Sequence, residues 1–111
     1  MDKLTLNDYQ QQAAQTAVYP DEIALAYTAL GLTGEAGEIA NKVKKVYRDS
    51  GGQLTPDKRD ELASELGDVL WYLAMLASEL DISLETVAQA NLDKLSSRKA
   101  RGKIQGSGDQ R

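Results

Sequence analysis

The chain has 111 residues and a formal net charge of −4, and it contains neither cysteine nor histidine. This composition indicates a single domain and excludes disulfides, zinc–thiolate sites and any mechanism that needs a histidine base. The negative charge argues against a nucleic acid polymer as partner, but it is compatible with a phosphorylated small molecule when metal ions stand between the two.

The first two predicted helices occupy the N-terminal half. One lies within "TLNDYQQQAAQTAV", with Thr5 or Asn7 as its N-cap, and Pro20 marks its end. The next is predicted from about residue 22 to residue 47, with Asp21 as its cap and a glycine-containing loop after it.

The last two predicted helices have clearer boundaries. Thr55 is expected to cap the third helix, which continues to about Leu80, and Pro56 is suited to its first turn. Its apolar residues recur at core spacing: Leu62, Leu66, Val69, Leu73, Leu76 and Leu80. Ser83 is expected to cap a fourth helix that ends near Lys99.

These four segments predict an all-α four-helix bundle over residues 1–99, followed by a flexible, glycine-rich basic tail at 100–111. The longest apolar run is too short to span a bilayer, and the N-terminus lacks the apolar stretch of a signal peptide. We therefore expect a cytoplasmic protein with no membrane partner. A chain of this length is also expected to gain from a second copy.

Two acidic motifs of the same form lie about thirty residues apart. "GLTGEAGEIANKVKK" contains Glu35 and Glu38, and "SELGDVLWY" contains Glu65 and Asp68. Residues three apart share a helix face, and helices joined by a short loop pack antiparallel, so the two pairs are expected to face each other. Four facing carboxylates repel unless a cation lies between them, and oxygen ligands suit Mg²⁺, Mn²⁺ or Ca²⁺.

Glycines accompany both motifs, although each interior glycine costs a helix roughly 1 kcal/mol relative to alanine. We expect Gly34, Gly37 and Gly67 to remove bulk beside the acids, so that a neighbouring helix or a ligand can come close. The alternative is that the acids form a solvated face and the glycines only pack.

The two motifs resemble the MazG-like all-α nucleoside triphosphate pyrophosphohydrolases, whose signature is E-x-x-E on one helix and E-x-x-D on the next. Tyr72 matches a family position, and "ANLDKLSSRKARGKIQGSGDQR" resembles the family's Asn-x-x-Lys-Leu-x-x-Arg stretch and basic tail. The resemblance covers most of the chain from residue 22 onward. It implies hydrolysis of a nucleoside triphosphate to the monophosphate and pyrophosphate with Mg²⁺ (Mn²⁺ as a substitute), by a homodimer or homotetramer, and leaves the base open.

Roles can then be assigned to individual residues. Glu35, Glu38, Glu65 and Asp68 would hold the metal, and Glu38 would also serve as the general base. Asn91, Lys94 and Arg98 form one stripe of the fourth helix that would bind the phosphates, unless it is an ordinary basic patch near a helix C-terminus. Trp71 and Tyr72 would stack on the nucleobase, unless they are core residues.

A non-enzymatic reading competes with this one. The chain would then be a helical self-association or interaction module, and its acids would form a solvated or cation-stabilised face. That reading explains the bundle, but it leaves the paired acidic motifs as a coincidence.

Overall fold

The computed structural model describes residues 3–111, so the first two residues of the predicted domain lie outside the described part. Its helices are α1 (Leu6–Ala14), α2 (Ala24–Ser50), α3 (Pro56–Glu79) and α4 (Leu84–Ala100), with a short 3-10 turn before α2. The described residues form no β-strand, which confirms the predicted all-α fold. The α2–α3 pair is the most extensive contact, and α1 packs on α3 and α4. The backbones of α2 and α4 do not approach each other along these described lengths.

Three of the predicted N-caps are confirmed. Thr5 caps α1 through a capping box, because its hydroxyl accepts from the Asp8 amide at 3.0 Å while the Asp8 carboxylate accepts from the Thr5 amide at 3.3 Å. Thr55 caps α3, with Pro56 as the first helical residue, and Ser83 caps α4. The other candidate cap of the first helix, Asn7, lies inside α1.

Two predicted boundaries around the second helix are wrong. Asp21 does not cap α2: it belongs to the Asp21–Ile23 turn, and the N-cap position of α2 is Ile23, which makes no side-chain cap hydrogen bond. The turn follows Pro20, whose carbonyl accepts from the Ile23 amide at 3.3 Å. At the other end α2 continues to Ser50, where Gly51 adopts a left-handed conformation (φ 59°) and closes it.

The core is smaller than the leucine spacing of α3 predicts. It consists of Ala13, Ala74, Met75 and Leu84, with partly buried aromatic and aliphatic residues around it. Within the predicted leucine row, Leu66 and Leu80 are 59% and 60% exposed, so the row as a whole is not core in the single chain. The buried residues of α3 are Ala74, Met75 and Ala77 instead.

A buried glutamine ties α1 to the turn between α3 and α4. The Gln10 amide donates to Ser78 Oγ (2.9 Å) and to the Ile82 carbonyl (3.1 Å), and its oxygen accepts from the Leu84 amide at 2.7 Å. The last bond satisfies a helix N-terminal amide that is otherwise without a partner inside α4. One side chain therefore joins three elements.

Gln10→Ala is expected to lower the free energy of unfolding by about 1–3 kcal/mol, because it leaves buried polar groups without partners. Urea unfolding followed by circular dichroism measures this loss. Gln12→Ala, at an exposed position of the same helix, is the matched control and should change little. Equal effects of the two substitutions would show that the hydrogen bonds of Gln10 do not stabilise the fold.

Candidate metal centre

The acidic motifs meet at the α2–α3 interface. Glu35 is carried by α2, and Glu65 and Asp68 by α3, and one carboxylate oxygen from each lies within 4.8 Å of the other two. Glu35 and Glu65 are half-buried and Asp68 is exposed. Such a group can hold a metal ion, and all its ligands are oxygens, as hard divalent cations prefer.

Glu38, the fourth predicted acid, lies one turn further along α2 and is exposed. It does not belong to the group of three, although its charge still acts on Glu35. Three of the four predicted acids are therefore brought together, and the fourth stands beside them.

The carboxyl group of Glu35 is partly buried among other negatively charged groups. Burial raises the pKa of this carboxyl, and the neighbouring carboxylates of Asp68, Glu65 and Glu38 raise it further. The only cation that approaches the group among the described residues is Lys42, whose Nζ lies 4.0 Å from Glu65 Oε1. A divalent cation would relieve this repulsion.

A cavity of about 350 Å³ opens beside the acids and is lined by Glu35, Asp68, Trp71 and Tyr72. Both aromatic residues predicted to contact a base therefore line the same cavity as two of the acids. The Trp71 ring is anchored, because its indole N–H donates to Thr16 Oγ1 at 2.8 Å. Tyr72 meets Trp71 edge to face, with the ring centroids 5.0 Å apart.

The aromatic wall of the cavity, formed by Trp71 and Tyr72, packs against two further tyrosines, Tyr27 and Tyr19. Tyr27 lies 6.2 Å from Tyr72 and stacks on Tyr19 at 5.1 Å (centroid distances). The neighbouring Tyr27 is the largest cause that raises the pKa of Tyr72, followed by burial. Sequence reasoning missed Tyr27, although its spacing to Gly31 and Glu35 (i, i+4, i+8) places all three on one face of α2.

The glycines beside the acids have unequal surroundings. A Cβ at Gly31 would overlap the ring of Tyr72, so this glycine lets the tyrosine lie directly on α2. At Gly34, Gly37 and Gly67 a Cβ would meet no described atom within 4 Å. Among residues 3–111 no other helix packs closely at these three glycines, and the predicted approach of a ligand stays a prediction.

The predicted phosphate-binding stripe lies on α4, apart from this cavity. Lys94 and Arg98 both contact the carboxylate of Asp109, at 2.7 and 3.0 Å, and Arg98 is 5% exposed. Asn91 lines a different, largely apolar groove with Leu70 and Val87. None of these three residues lines the cavity beside the acids, whose walls are Glu35, Asp68, Trp71 and Tyr72.

The C-terminal segment 101–111 is non-helical and turns back along α4. Its last residue holds it together: the Arg111 guanidinium donates to the carbonyls of Lys103, Ile104 and Gly108 at 2.7–3.0 Å. No helix among residues 3–111 combines the length and apolar character needed to cross a bilayer.

Comparison with known proteins places these residues in a family. Gene 37 protein of Mycobacterium phage L5 is 59% identical over 109 residues, which cover 93% of this chain and 96% of that protein. Proteins YpjD and YvdC of Bacillus subtilis are 39% and 36% identical over 67 and 72 residues, covering 60% of this chain in each case and 60% and 68% of those proteins. No solved structure matches the chain significantly.

The family model of the MazG nucleotide pyrophosphohydrolase domain matches residues 25–102 of the sequence. That range contains the three clustered acids, Glu38, both cavity aromatics and the α4 stripe. The chain therefore belongs to the MazG nucleotide pyrophosphohydrolase domain family.

Proposed function

We propose that the protein is a Mg²⁺-dependent nucleoside triphosphate pyrophosphohydrolase, which converts a ribo- or deoxyribonucleoside triphosphate to the monophosphate and pyrophosphate. The observation that carries this proposal is the group of three carboxylates within 4.8 Å of one another beside an aromatic cavity. Membership of the MazG family supports the same chemistry. The proposed setting is the cytoplasm, where such an enzyme would control the nucleotide pool.

The residues present fit a hard divalent cation. The donors are three carboxylates, and the raised pKa of Glu35 reflects burial together with negative charge that has no sufficient counterion. We propose that Glu35, Glu65 and Asp68, with Glu38 beside them, would hold Mg²⁺, with Mn²⁺ as a substitute. When bound, the metal would polarise the phosphate oxygens and lower the pKa of a coordinated water.

The chain's own groups account for the rest of the proposed reaction. A water oxygen forms the new bond to the α phosphorus, the anhydride bond between the α and β phosphates breaks, and pyrophosphate leaves. We assign the proton of the water to Glu38, because it stands next to the clustered acids without belonging to them. Hydrolysis along this route requires no side-chain nucleophile.

The aromatic wall is the proposed base site. Tyr72 is fixed over Gly31 and Trp71 is fixed by Thr16, so their rings are oriented before a ligand arrives. A nucleobase in the cavity would stack on either ring, and Glu35 and Asp68 line the same cavity.

The α4 stripe is the proposed phosphate site, and its position favours an oligomer. Asn91, Lys94 and Arg98 do not share the cavity of their own chain, so we propose that they serve the cavity of a second copy in a homodimer or homotetramer. Exposed leucines on α3, at its C-terminal end and on α4, namely Leu66, Leu80 and Leu92 (59–60% exposed), offer apolar surface for that contact.

Incubation with a panel of ribo- and deoxyribonucleoside triphosphates tests the proposed activity. We expect Mg²⁺-dependent release of pyrophosphate from at least one of them, and no release after chelation of the metal. Orthophosphate and a nucleoside diphosphate as products would contradict the proposed bond cleavage. Absence of turnover across the whole panel would contradict the enzyme itself.

The competing function is a self-association or interaction module with a structural cation site. The exposed leucines of α3 and α4 favour it as much as they favour an oligomeric enzyme. Thermal unfolding separates the two, because only the enzyme should be stabilised further when a non-hydrolysable nucleoside triphosphate is added to Mg²⁺.

A further inference from the structure

The C-terminal segment places one carboxylate on both cations of the α4 stripe. Asp109 Oδ1 accepts from Lys94 Nζ at 2.7 Å and from Arg98 Nη2 at 3.0 Å, and Arg98 also donates to the Asp109 backbone carbonyl. The two cations come from consecutive turns of α4, whereas Asp109 lies eleven residues beyond Arg98. The chain therefore reverses direction in order to deliver an anion to this pair.

Asp109 accepts hydrogen bonds from only some of the N–H groups of the buried Arg98 guanidinium. Arg98 is 5% exposed, yet its Nε is buried and has no hydrogen-bond partner among the described residues. A guanidinium has five N–H donors in a planar fork, and a phosphate group offers more acceptor oxygens to it than the single carboxylate oxygen used here. The site is thus better matched to a phosphate than to the group that fills it.

The segment that carries Asp109 is held mainly by itself and by these two cations. Arg111 bonds to carbonyls inside the segment, and the reversal passes through Gly106 (φ 132°) and Gly108 (φ 85°), a backbone conformation that favours glycine. The Asp109 side chain is 69% exposed, and no residue of the segment belongs to the hydrophobic core. The contact can therefore open without disturbing α1–α4.

We propose that Asp109 is a built-in competitor of substrate: it occupies Lys94 and Arg98 in the resting protein, and the phosphates of the nucleotide displace it. This inference rests on the proposed function, because it takes Lys94 and Arg98 as the pair that binds phosphate. The hydrogen bonds from Lys94 and Arg98 also lower the pKa of the Asp109 carboxyl, as expected for a carboxylate that accepts from two cations. The tail closes onto its own cations before any ligand arrives, and substrate opens it.

Asp109→Asn tests the competition, because it removes the charge and keeps the shape. The probe is inorganic pyrophosphate, and its affinity is measured by calorimetry in chelator, which removes the acidic metal site from the result. If the tail occupies the pair nine-tenths of the time, its release raises the apparent affinity roughly tenfold. In the metal-loaded protein the same variant should lower KM for the nucleotide and leave kcat unchanged.

Two further variants serve as controls for the effect of Asp109→Asn. Asp93→Asn removes the same charge from α4, where that carboxylate accepts from Gln89 at 2.9 Å instead of from a cation, so it corrects for the general effect of net charge. In a Lys94→Gln background, Asp109→Asn should lose most of its effect. An Asp109→Asn affinity no higher than that of Asp93→Asn, or an undiminished gain in the Lys94→Gln background, would overturn the proposal.

These experiments distinguish failure of the competitor proposal from failure of the proposed enzymatic function. A protein that hydrolyses nucleotides with the same KM in the wild type and in Asp109→Asn is an enzyme without an internal competitor. A protein that hydrolyses nothing, but binds pyrophosphate more tightly as Asp109→Asn, keeps the competitor and loses the enzyme.

Discussion

Asp68→Asn is expected to lower kcat/KM for pyrophosphate release by at least about 100-fold, because the loss of a direct ligand should exceed the 10–100-fold effects seen for groups that only orient ligands. Asp68 is one of three acids whose oxygens lie within 4.8 Å of one another, and the amide of asparagine keeps its shape without its charge. Initial rates at saturating Mg²⁺ measure the loss, and circular dichroism checks the fold. Asp60→Asn, at an exposed position of the same helix, is the matched control and should retain full activity.

The same substitution should stabilise the metal-free protein at neutral pH. Burial and the charge of Asp68 raise the pKa of Glu35. A carboxyl with a raised pKa contributes stability that is fully present below its unfolded pKa and is lost as the pH rises through its folded pKa. At pH 7 that contribution is absent, and removing the charge of Asp68 relieves the repulsion. The melting temperature of Asp68→Asn in chelator should therefore exceed that of the wild type at pH 7, and the gap should narrow below about pH 4. A variant that stays fully active and melts with the wild type would make Asp68 an ordinary solvated acid.

Gly31→Ala is expected to destabilise the protein by about 1–3 kcal/mol, although alanine is the better helix former. Its Cβ would overlap the Tyr72 ring, which Trp71 and Tyr27 flank, so α2 and α3 must separate or the ring must leave its position. Chemical unfolding gives the change in stability. Because Tyr72 lines the cavity, nucleotide affinity should fall as well.

Gly34→Ala is the matched control, one turn further along the same helix. A Cβ there meets no described atom within 4 Å, so the gain in helix propensity should stabilise the isolated fold by about 0.5–1 kcal/mol. Gly31→Ala should also cost less in a Tyr72→Ala background than in the wild type. Equal effects of alanine at positions 31 and 34 would show that Tyr72 does not depend on the glycine.

The features that the sequence predicts correctly are those governed by short spacing. The caps Thr55 and Ser83 bond to amides three residues ahead, and each acidic pair shares a face because its members lie three apart. A short connection between two helices is enough to bring Glu35 opposite Asp68. Each of these inferences needs only local geometry.

The features that could not be predicted depend on which surfaces meet. Leucine spacing does not distinguish a face of α3 that meets α1 from one that remains open. It predicts core positions for Leu66 and Leu80, whereas the core residues of α3 are Ala74 and Met75. The hydrogen-bond partners of the buried Gln10 lie 64–74 residues away in the sequence, and no local sequence pattern predicts them. The contact between Asp109 and Lys94 likewise requires a reversal of the chain that composition indicates only as a glycine-rich tail.

The hydrogen bonds of Gln10 also have a consequence for the order of folding. The α2–α3 hairpin joins segments separated by a five-residue connection (51–55), whereas the bond from Leu84 to Gln10 spans 74 residues. Closing the longer loop costs more conformational entropy. The hydrogen bonds of Gln10 compensate for that cost only after α3 and α4 have formed the turn that receives the glutamine side chain. The hairpin that carries the acids should therefore assemble early, and the first helix of the chain should be the last to dock.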